Sequence, residues 1–359
     1  MNFFTRLFAG GSSVLGVDIG SSAVKIVELS KKGSRAKLET YGELSLGPYA
    51  ALQIGRATSL EAARLSEALR DILAEAKARS TRCGVAVPLS SSLVRTVEMP
   101  ALGKELVYAV PLEARKYIPV PIGEVSLEWV ALPAEGVSLE TPLPGKRLPI
   151  LIAAIHNDAL TKFESVIKAS GLESSFYEIE AFSAVRSSAP AEKGAYLLCD
   201  LGAGASKFYF VNGGIIQSTY IVSRGSQDIT LSLSTSLGIT VNEAEKLKRT
   251  AGLVRGAGPE HVEEIISLVL IHIFGEASKA IESFEKKNGV KIQKIIFAGG
   301  GALLKDLIPL AGRSFEVSVE LANPFSRVES PAFVAEVLRT VGPAFAVAVG
   351  AALRRLEED

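Results

Sequence analysis

Two stretches far apart in this chain follow one pattern, and that repetition restricts the folds open to it. The first is Asp18-Ile-Gly20-Ser21-Ser22-Ala-Val-Lys25; the second is Asp200-Leu-Gly202-Ala203-Gly204-Ala-Ser206-Lys207. In each, an apolar run ends in Asp-x-Gly, small residues follow, and a lysine comes next. The flanks repeat as well. Val14–Ile19, Ala23–Leu29 and Lys37–Leu46 read as three strands joined by tight turns. Tyr196–Leu201, Lys207–Val211 and Ile215–Ile221 read the same way, with a turn at Asn212-Gly213-Gly214. An internal duplication of this kind carries more weight than either motif alone.

Each loop has a chemistry of its own. A hairpin tip of glycine and small residues offers backbone N–H groups to an anion and lets it approach closely. Asp18 at a strand end would hold a magnesium ion through water, and Lys25 would direct a cation at a phosphate. Ser21 and Ser22 add hydroxyl donors. The second loop repeats the carboxylate with Asp200, so two such hairpins can clamp a triphosphate from both sides. A third loop, Ile295-Ile-Phe-Ala-Gly299-Gly300-Gly301-Ala-Leu303, runs a buried strand into bare backbone, against which a base or ribose can lie flat. Asp-x-Gly alone is a common turn. Three loops in this order point to one nucleotide.

At 359 residues the chain exceeds one ordinary core and is expected to form at least two domains. A composition 48% hydrophobic and 22% charged is that of a folded protein, and a formal charge of +0 favours neither nucleic acid nor an anionic membrane. Cys83 and Cys199 sit in apolar strand-like segments without metal-ligand spacing, and read as buried free thiols in a reducing compartment. His156, His261 and His272 are scattered and form no metal motif. No secretory signal or membrane span is read; the apolar runs Ile265–Phe274 and Ala344–Leu353 are shorter than the roughly 20 residues a spanning helix needs. Met1–Phe8, with Phe3, Phe4, Leu7 and Phe8 around Arg6, reads as a frayed tail or a small amphipathic contact.

Between the hairpin units the pattern changes. Ser59–Ala78 has helical apolar spacing, with Ser59 as its cap. After Cys83, strands are expected at Val85–Pro88, Leu93–Glu98, Ser126–Leu132 and Leu148–Ile155. Helices are expected at Lys104–Lys116 and Asn157–Ala169, the latter ended by Gly171, and a loop at Pro133–Arg147. This block reads as an inserted α+β unit. Later helices are Ser183–Ser188, Asp228–Leu237, Asn242–Arg249, Glu260–Asn288 and Ala344–Arg355, with strands Lys294–Ala298 and Val317–Leu321. Arg354 and Arg355 suit the negative end of the last helix dipole.

The three loops together resemble those of the actin-like ATPase superfamily. The resemblance narrows to the PilM family of type IV pilus assembly, carried by Gly16–Lys25 with Glu28-Leu29, Glu113-Ala-Arg-Lys-Tyr-Ile-Pro119 and Ala154–Gly171. Glu180-Ala-Phe-Ser-Ala-Val-Arg186, Ser223-Arg-Gly225 with Asp228-Ile, Ala298–Leu303 and Asn323-Pro-Phe325 extend it over nearly the whole chain.

That resemblance implies an α/β fold of duplicated ribonuclease H-like domains. The first would be residues 1–83 with 166–192 and a C-terminal helix 335–359. An inserted FtsA-like (SHS2) interaction unit would span 84–165, and the second domain 193–334, with a helical part at 237–289. ATP and Mg2+ are the implied ligands. The implied nucleotide contacts are Asp18, Gly20, Ser21, Ser22, Lys25, Asp200, Gly202, Ala203, Gly204, Ser206, Gly299, Gly300, Gly301 and Leu303, with Glu245 and Lys248 flanking ribose and adenine. Asp18 and Asp200 would hold the metal through water, and Glu180 would orient the hydrolytic water. Glu245 and Lys248 also fit a simple ion pair on one helical face.

The implied partner is the cytoplasmic N-terminal peptide of PilN, captured between the first domain and the insert. Contact with PilO and the motor ATPases would be indirect, at the cytoplasmic face of the inner membrane. One departure weakens hydrolysis: Ala203 stands where many active members carry a carboxylate or glycine. The alternatives are a filament-forming protein of the FtsA/MreB kind and a small-molecule kinase.

Overall fold

In the computed structural model of the chain, residues 13–33, 35–132, 143–190 and 194–358 are described; Met1–Phe8 lies outside them. Val14–Ile19 (β1) is buried along its whole length and pairs antiparallel with Ala23–Lys32 (β2), which pairs with Arg35–Ser45 (β3). Ala62–Glu75 (α1) then leads to Arg82–Val87 (β4), parallel to β1. Here the chain leaves the sheet. Ser92–Ala101 (β5), Leu106–Ala114 (α2), Val125–Ala131 (β6) and Leu143–His156 (β7) build a separate three-stranded antiparallel unit, in the order β5-β7-β6. Asn157–Ala169 (α3) brings it back, Glu173–Ile179 (β8) pairs parallel to β4, and Glu180–Ser188 (α4) follows.

The second half repeats the plan. Ala195–Leu201 (β9), Ser206–Asn212 (β10) and Ile215–Val222 (β11) form the meander. Three helices follow, Ser226–Leu237 (α5), Val241–Thr250 (α6) and Val262–Asn288 (α7). Lys294–Ala298 (β12) lies parallel to β9; after Leu307–Ser314 (α8), Ser318–Leu321 (β13) lies parallel to β12. The chain ends with Val328–Glu329 (β14), Ala335–Val341 (α9) and Ala346–Glu358 (α10). The sheets run β14-β3-β2-β1-β4-β8 and β11-β10-β9-β12-β13. Apart from β14 they share one order, which is the duplication read from the two hairpins.

Apolar faces decide the layers. Leu65, Leu69 and Ile72 of α1 and Phe163, Val166 and Ile167 of α3 pack on one face of the first sheet. Helix α10 covers the other face against Val14, Val27 and Leu29. Helices α5 to α8 cover one face of the second sheet, and Ala181, Ala184 and Val185 of α4 pack beneath its other face. Helices α4 and α10 therefore meet between the halves. Their approach is so close that a Cβ on Gly350 would lie 1.9 Å from the Ser183 carbonyl oxygen. A buried carboxylate fastens the joint: Glu178 accepts from Arg186 at 2.6 and 3.0 Å, from Arg354 at 2.9 Å and from Ser183 at 2.5 Å.

Several expectations shift. The helix placed over Ser59–Ala78 is shorter, and Ser59 does not cap it; Glu61 precedes its first turn without a side-chain cap. Thr58 donates its N–H to Ser21 O at 2.8 Å, which ties that stretch to the first hairpin tip. The boundary at 84 cuts through β4, a strand of the first sheet, and α3 packs into the first sheet's core, so the separate sheet spans β5 to β7 only. Strand β7 begins at Leu143, inside the stretch read as a loop; residues 133–142 of that loop lie outside the described ones. Strand β8 has polar, exposed residues at its start and no apolar alternation to reveal it. Helix α8 was missed because Pro309 interrupts its pattern.

The expected C-terminal helix 335–359 is broken by a 3-10 turn at Gly342–Phe345, where Pro343 cannot continue α9. The segment Ala332–Leu356 has the length and apolarity of a membrane span, yet Ala344–Leu353 is packed core. Arg354 and Arg355 reach Glu178 and Ser175. Cys83 and Cys199 are free and buried, as expected, and burial pushes the Cys83 thiol up to about 12.

Candidate functional site

The two Asp-x-Gly hairpins open onto one cavity of about 800 Å³ between the halves. Each tip is pulled tight by one backbone bond, Gly20 N to Ala23 O and Gly202 N to Ala205 O, both 3.0 Å. Small residues are needed here because the tips and their neighbours nearly touch: a Cβ on Gly204 would lie 3.3 Å from the Ala57 methyl group and 3.5 Å from Ser21 Oγ. Register places Asp18 directly opposite Lys25 and Asp200 directly opposite Lys207. All four side chains line the cavity with the tips Gly20–Ser22 and Gly202–Gly204. Ser206 does not: it is fully buried on the other face of β10, and its hydroxyl donates to Arg224 O at 2.8 Å.

Glu180, the first residue of α4, reaches the same floor. Its Oε1 accepts the Leu89 N–H at 2.5 Å and its Oε2 accepts from Lys207 Nζ at 2.7 Å. Lys207 Nζ also lies 3.4 Å from Asp200 Oδ2. Burial pulls the Lys207 ammonium down, but Glu180 and Asp200 push it further up, so it stays charged. Asp18 has a weaker counterpart, because Lys25 is shared with Glu43 at 3.8 Å. Burial raises the Asp18 carboxyl to about 6; Lys25 draws it down, while Glu180 and Asp200 add to the rise.

The third loop closes the far side. β12 delivers Ala298 beside Asp200, and Gly299 turns the chain at φ +84°. A Cβ on Gly299 would lie 2.3 Å from Asp200 Oδ1, so this turn and that carboxylate fit only around glycine. Gly300, Gly301 and Leu303 line the cavity in a single 3-10 turn.

Glu245 and Lys248 are buried and bonded to each other at 2.6 Å, so the pair is not a solvated one. Glu245 also accepts from Thr230 at 2.6 Å and Arg249 at 2.7 Å. Burial disfavours the Glu245 charge, but Lys248, Thr230 and Arg249 together outweigh it and hold the carboxyl below its usual range.

Sequence reading missed the bridge at the mouth. Ala57 N donates to Gln227 Oε1 at 3.0 Å across the cleft. Gly55, at φ +87°, lies so near Glu245 that a Cβ would come within 2.7 Å of its carboxyl carbon. A lone glycine between Ile54 and Arg56 was the only trace of this contact in the sequence.

Among the described residues no group of three or more His, Cys, Asp or Glu is arranged to ligate a metal directly. The donor set instead suits an ion held through water: Asp18 and Asp200 face the same space, and the three floor carboxylates outnumber the two lysines.

The family model described as Type IV pilus assembly protein PilM matches residues 16–356. Among solved structures the chain is similar to a PilM–PilN type IV pilus biogenesis complex, at 26% identity and TM-score 0.79, covering 95% of this chain and 98% of that one. It is similar in fold to the ethanolamine utilization protein EutJ of Carboxydothermus hydrogenoformans, at 14% identity and TM-score 0.58, covering 96% and 90% of the two chains. MreB5 of Spiroplasma citri bound to ADP shares the same actin-like fold at 12% identity and TM-score 0.53, covering 96% of each chain.

Proposed function

This chain belongs to the PilM family of type IV pilus assembly proteins, and from that premise we propose that it is an ATP-holding scaffold of the pilus inner-membrane platform. The observation that carries the nucleotide half is the convergence of both hairpin tips and the triple-glycine turn on one cavity. A triphosphate lies between Gly20–Ser22 and Gly202–Gly204, with its base and ribose toward Gly299–Gly301 and the Glu245–Lys248 pair. Asp18 and Asp200 are the residues that would hold Mg2+ through water, and the ion would supply positive charge to the phosphates.

Turnover is weak or absent in this reading. Ala203 brings no polar side chain, and Glu180, the candidate for orienting water, already has both oxygens engaged.

The partner half rests on likeness to the PilM of the PilM–PilN complex over nearly both chains. The cytoplasmic N-terminal peptide of PilN docks between the first sheet and the inserted unit, and through it this chain sits at the cytoplasmic face of the inner membrane. PilO and the motor ATPases are reached indirectly. In support, β6 is an edge strand of the three-stranded sheet among the described residues, and Val130, Val107, Tyr108 and Leu112 of that unit are exposed. Nucleotide acts by favouring one disposition of the halves over another.

The test is pull-down of the purified chain on an immobilised PilN N-terminal peptide, with and without ATP. Retention that ATP strengthens is expected; no retention in either condition overturns the scaffold reading.

A further inference from the structure

The inserted unit touches both halves of the molecule. It leaves the first sheet after β4 and returns through α3, so its two ends are fixed in the first half. Its edge strand β5, however, lies beside β11, the edge strand of the second sheet. One threonine reaches across from each side. Thr96 Oγ1 donates to Ile216 O at 2.7 Å, and Thr219 Oγ1 donates to Val94 O at 3.3 Å. Val94 and Ile216 are buried in one cluster with Tyr209 and Val211 of the second sheet and Ala181 and Ala184 of α4. The seam is therefore packed as well as bonded.

Strand β11 is tied in turn to the cavity. It pairs with β10, Thr219 opposite Tyr209 and Ile221 opposite Lys207. A shift of the second hairpin relative to the first carries β11 with it. The seam then either shears or drags the inserted unit across the first sheet. A second link runs the same way just ahead of β5, where the Leu89 N–H donates to Glu180, the carboxylate that holds Lys207.

We propose that the β5–β11 seam couples the nucleotide cavity to partner binding on the inserted unit. The proposal rests on the nucleotide and partner readings given above. Coupling between two sites is reciprocal, so ATP and the peptide change each other's affinity by one common factor. Thr96 and Thr219 do not line the cavity. Removing their hydroxyls should uncouple the two ligands while leaving each able to bind.

Four affinities on the full chain test this: a fluorescent ATP analogue with and without saturating PilN N-terminal peptide, and labelled peptide with and without ATP. The proteins are the natural chain, the double variant Thr96→Val with Thr219→Val, and the double variant Thr96→Ser with Thr219→Ser, which keeps both hydroxyls. In the natural chain and the serine variant, each ligand should raise affinity for the other by about fivefold or more. In the valine variant both should bind, with the common factor below about twofold.

An undiminished factor in the valine variant overturns the proposal, as does a natural chain that binds both ligands independently. A natural chain that binds no analogue, or no peptide, overturns instead the reading on which the proposal rests. Should the valine variant not fold, amide hydrogen exchange of the natural chain decides. ATP should change protection in Ser92–Ala101 and Ile215–Val222 together, and a change confined to Ile215–Val222 sinks the idea.

Discussion

In the first hairpin Asp18 faces Lys25, and in the second Asp200 faces Lys207, at the same register positions of sheets with the same strand order. Their surroundings differ. Lys207 bonds Glu180 at 2.7 Å and lies 3.4 Å from Asp200, whereas Lys25, itself only 11% exposed, reaches the half-exposed Glu43 at 3.8 Å. Burial raises the Asp18 carboxyl to about 6, with Glu180 and Asp200 adding to the rise that Lys25 and Lys207 oppose. Duplication explains why the geometry is shared. What each copy does with its charge depends on its neighbours, and Glu180 of α4 forms its ion pair with Lys207 of the second hairpin while its charge is also felt at Asp18.

The largest effect that would break this asymmetry is at Asp18. Its folded pKa lies above the ordinary 3.8, so the folded state holds the proton more tightly than the unfolded chain. Stability from this group is full below pH 3.8 and is lost as pH rises through about 6. Asp18→Asn removes that loss. Urea unfolding of the ligand-free protein should show the variant more stable by about 2–3 kcal/mol at pH 8, with the gain vanishing toward pH 4. A gain independent of pH would mean that the carboxylate is not strained by its burial.

A smaller effect sharpens the comparison at the paired lysine. Lys25→Met loses a long contact to a half-exposed glutamate and should cost about 1 kcal/mol or less at neutral pH by the same unfolding measurement. It should also move the Asp18-linked loss of stability to higher pH, because Lys25 is the larger of the two lysine charges that draw that carboxyl down. A cost well above that range would make Lys25 as strongly paired as Lys207 and erase the difference between the hairpins.

Much of the fold was legible because duplication and alternation are local signals. β1 spans the residues its apolar run predicts, and α3 runs from Asn157 to Ala169 as its spacing predicts, with Gly171 beyond it at φ +77°. The elements that escaped lack such signals: β8 is half polar at a sheet edge, and α8 contains Pro309.

In the site, alternation along β10 puts Ser206, expected as a nucleotide contact, on the face away from the cleft and Lys207 on the face toward it, a choice that alternation alone does not make. Nor could it foresee that Glu180 would be bonded at both oxygens, since Leu89 and Lys207 come from other parts of the chain. The bridge from Gly55 and Ala57 to Glu245 and Gln227 depends on how the halves meet. Contacts of that kind are set by tertiary packing, beyond the reach of any local pattern.

The account stands on a nucleotide gripped from both sides. The most direct measurement is a crystal structure of the chain grown with a non-hydrolysable ATP analogue. The account predicts a triphosphate between Gly20–Ser22 and Gly202–Gly204, with the base against Gly299–Gly301. An analogue bound to only one hairpin, or bound outside this cavity, would contradict it.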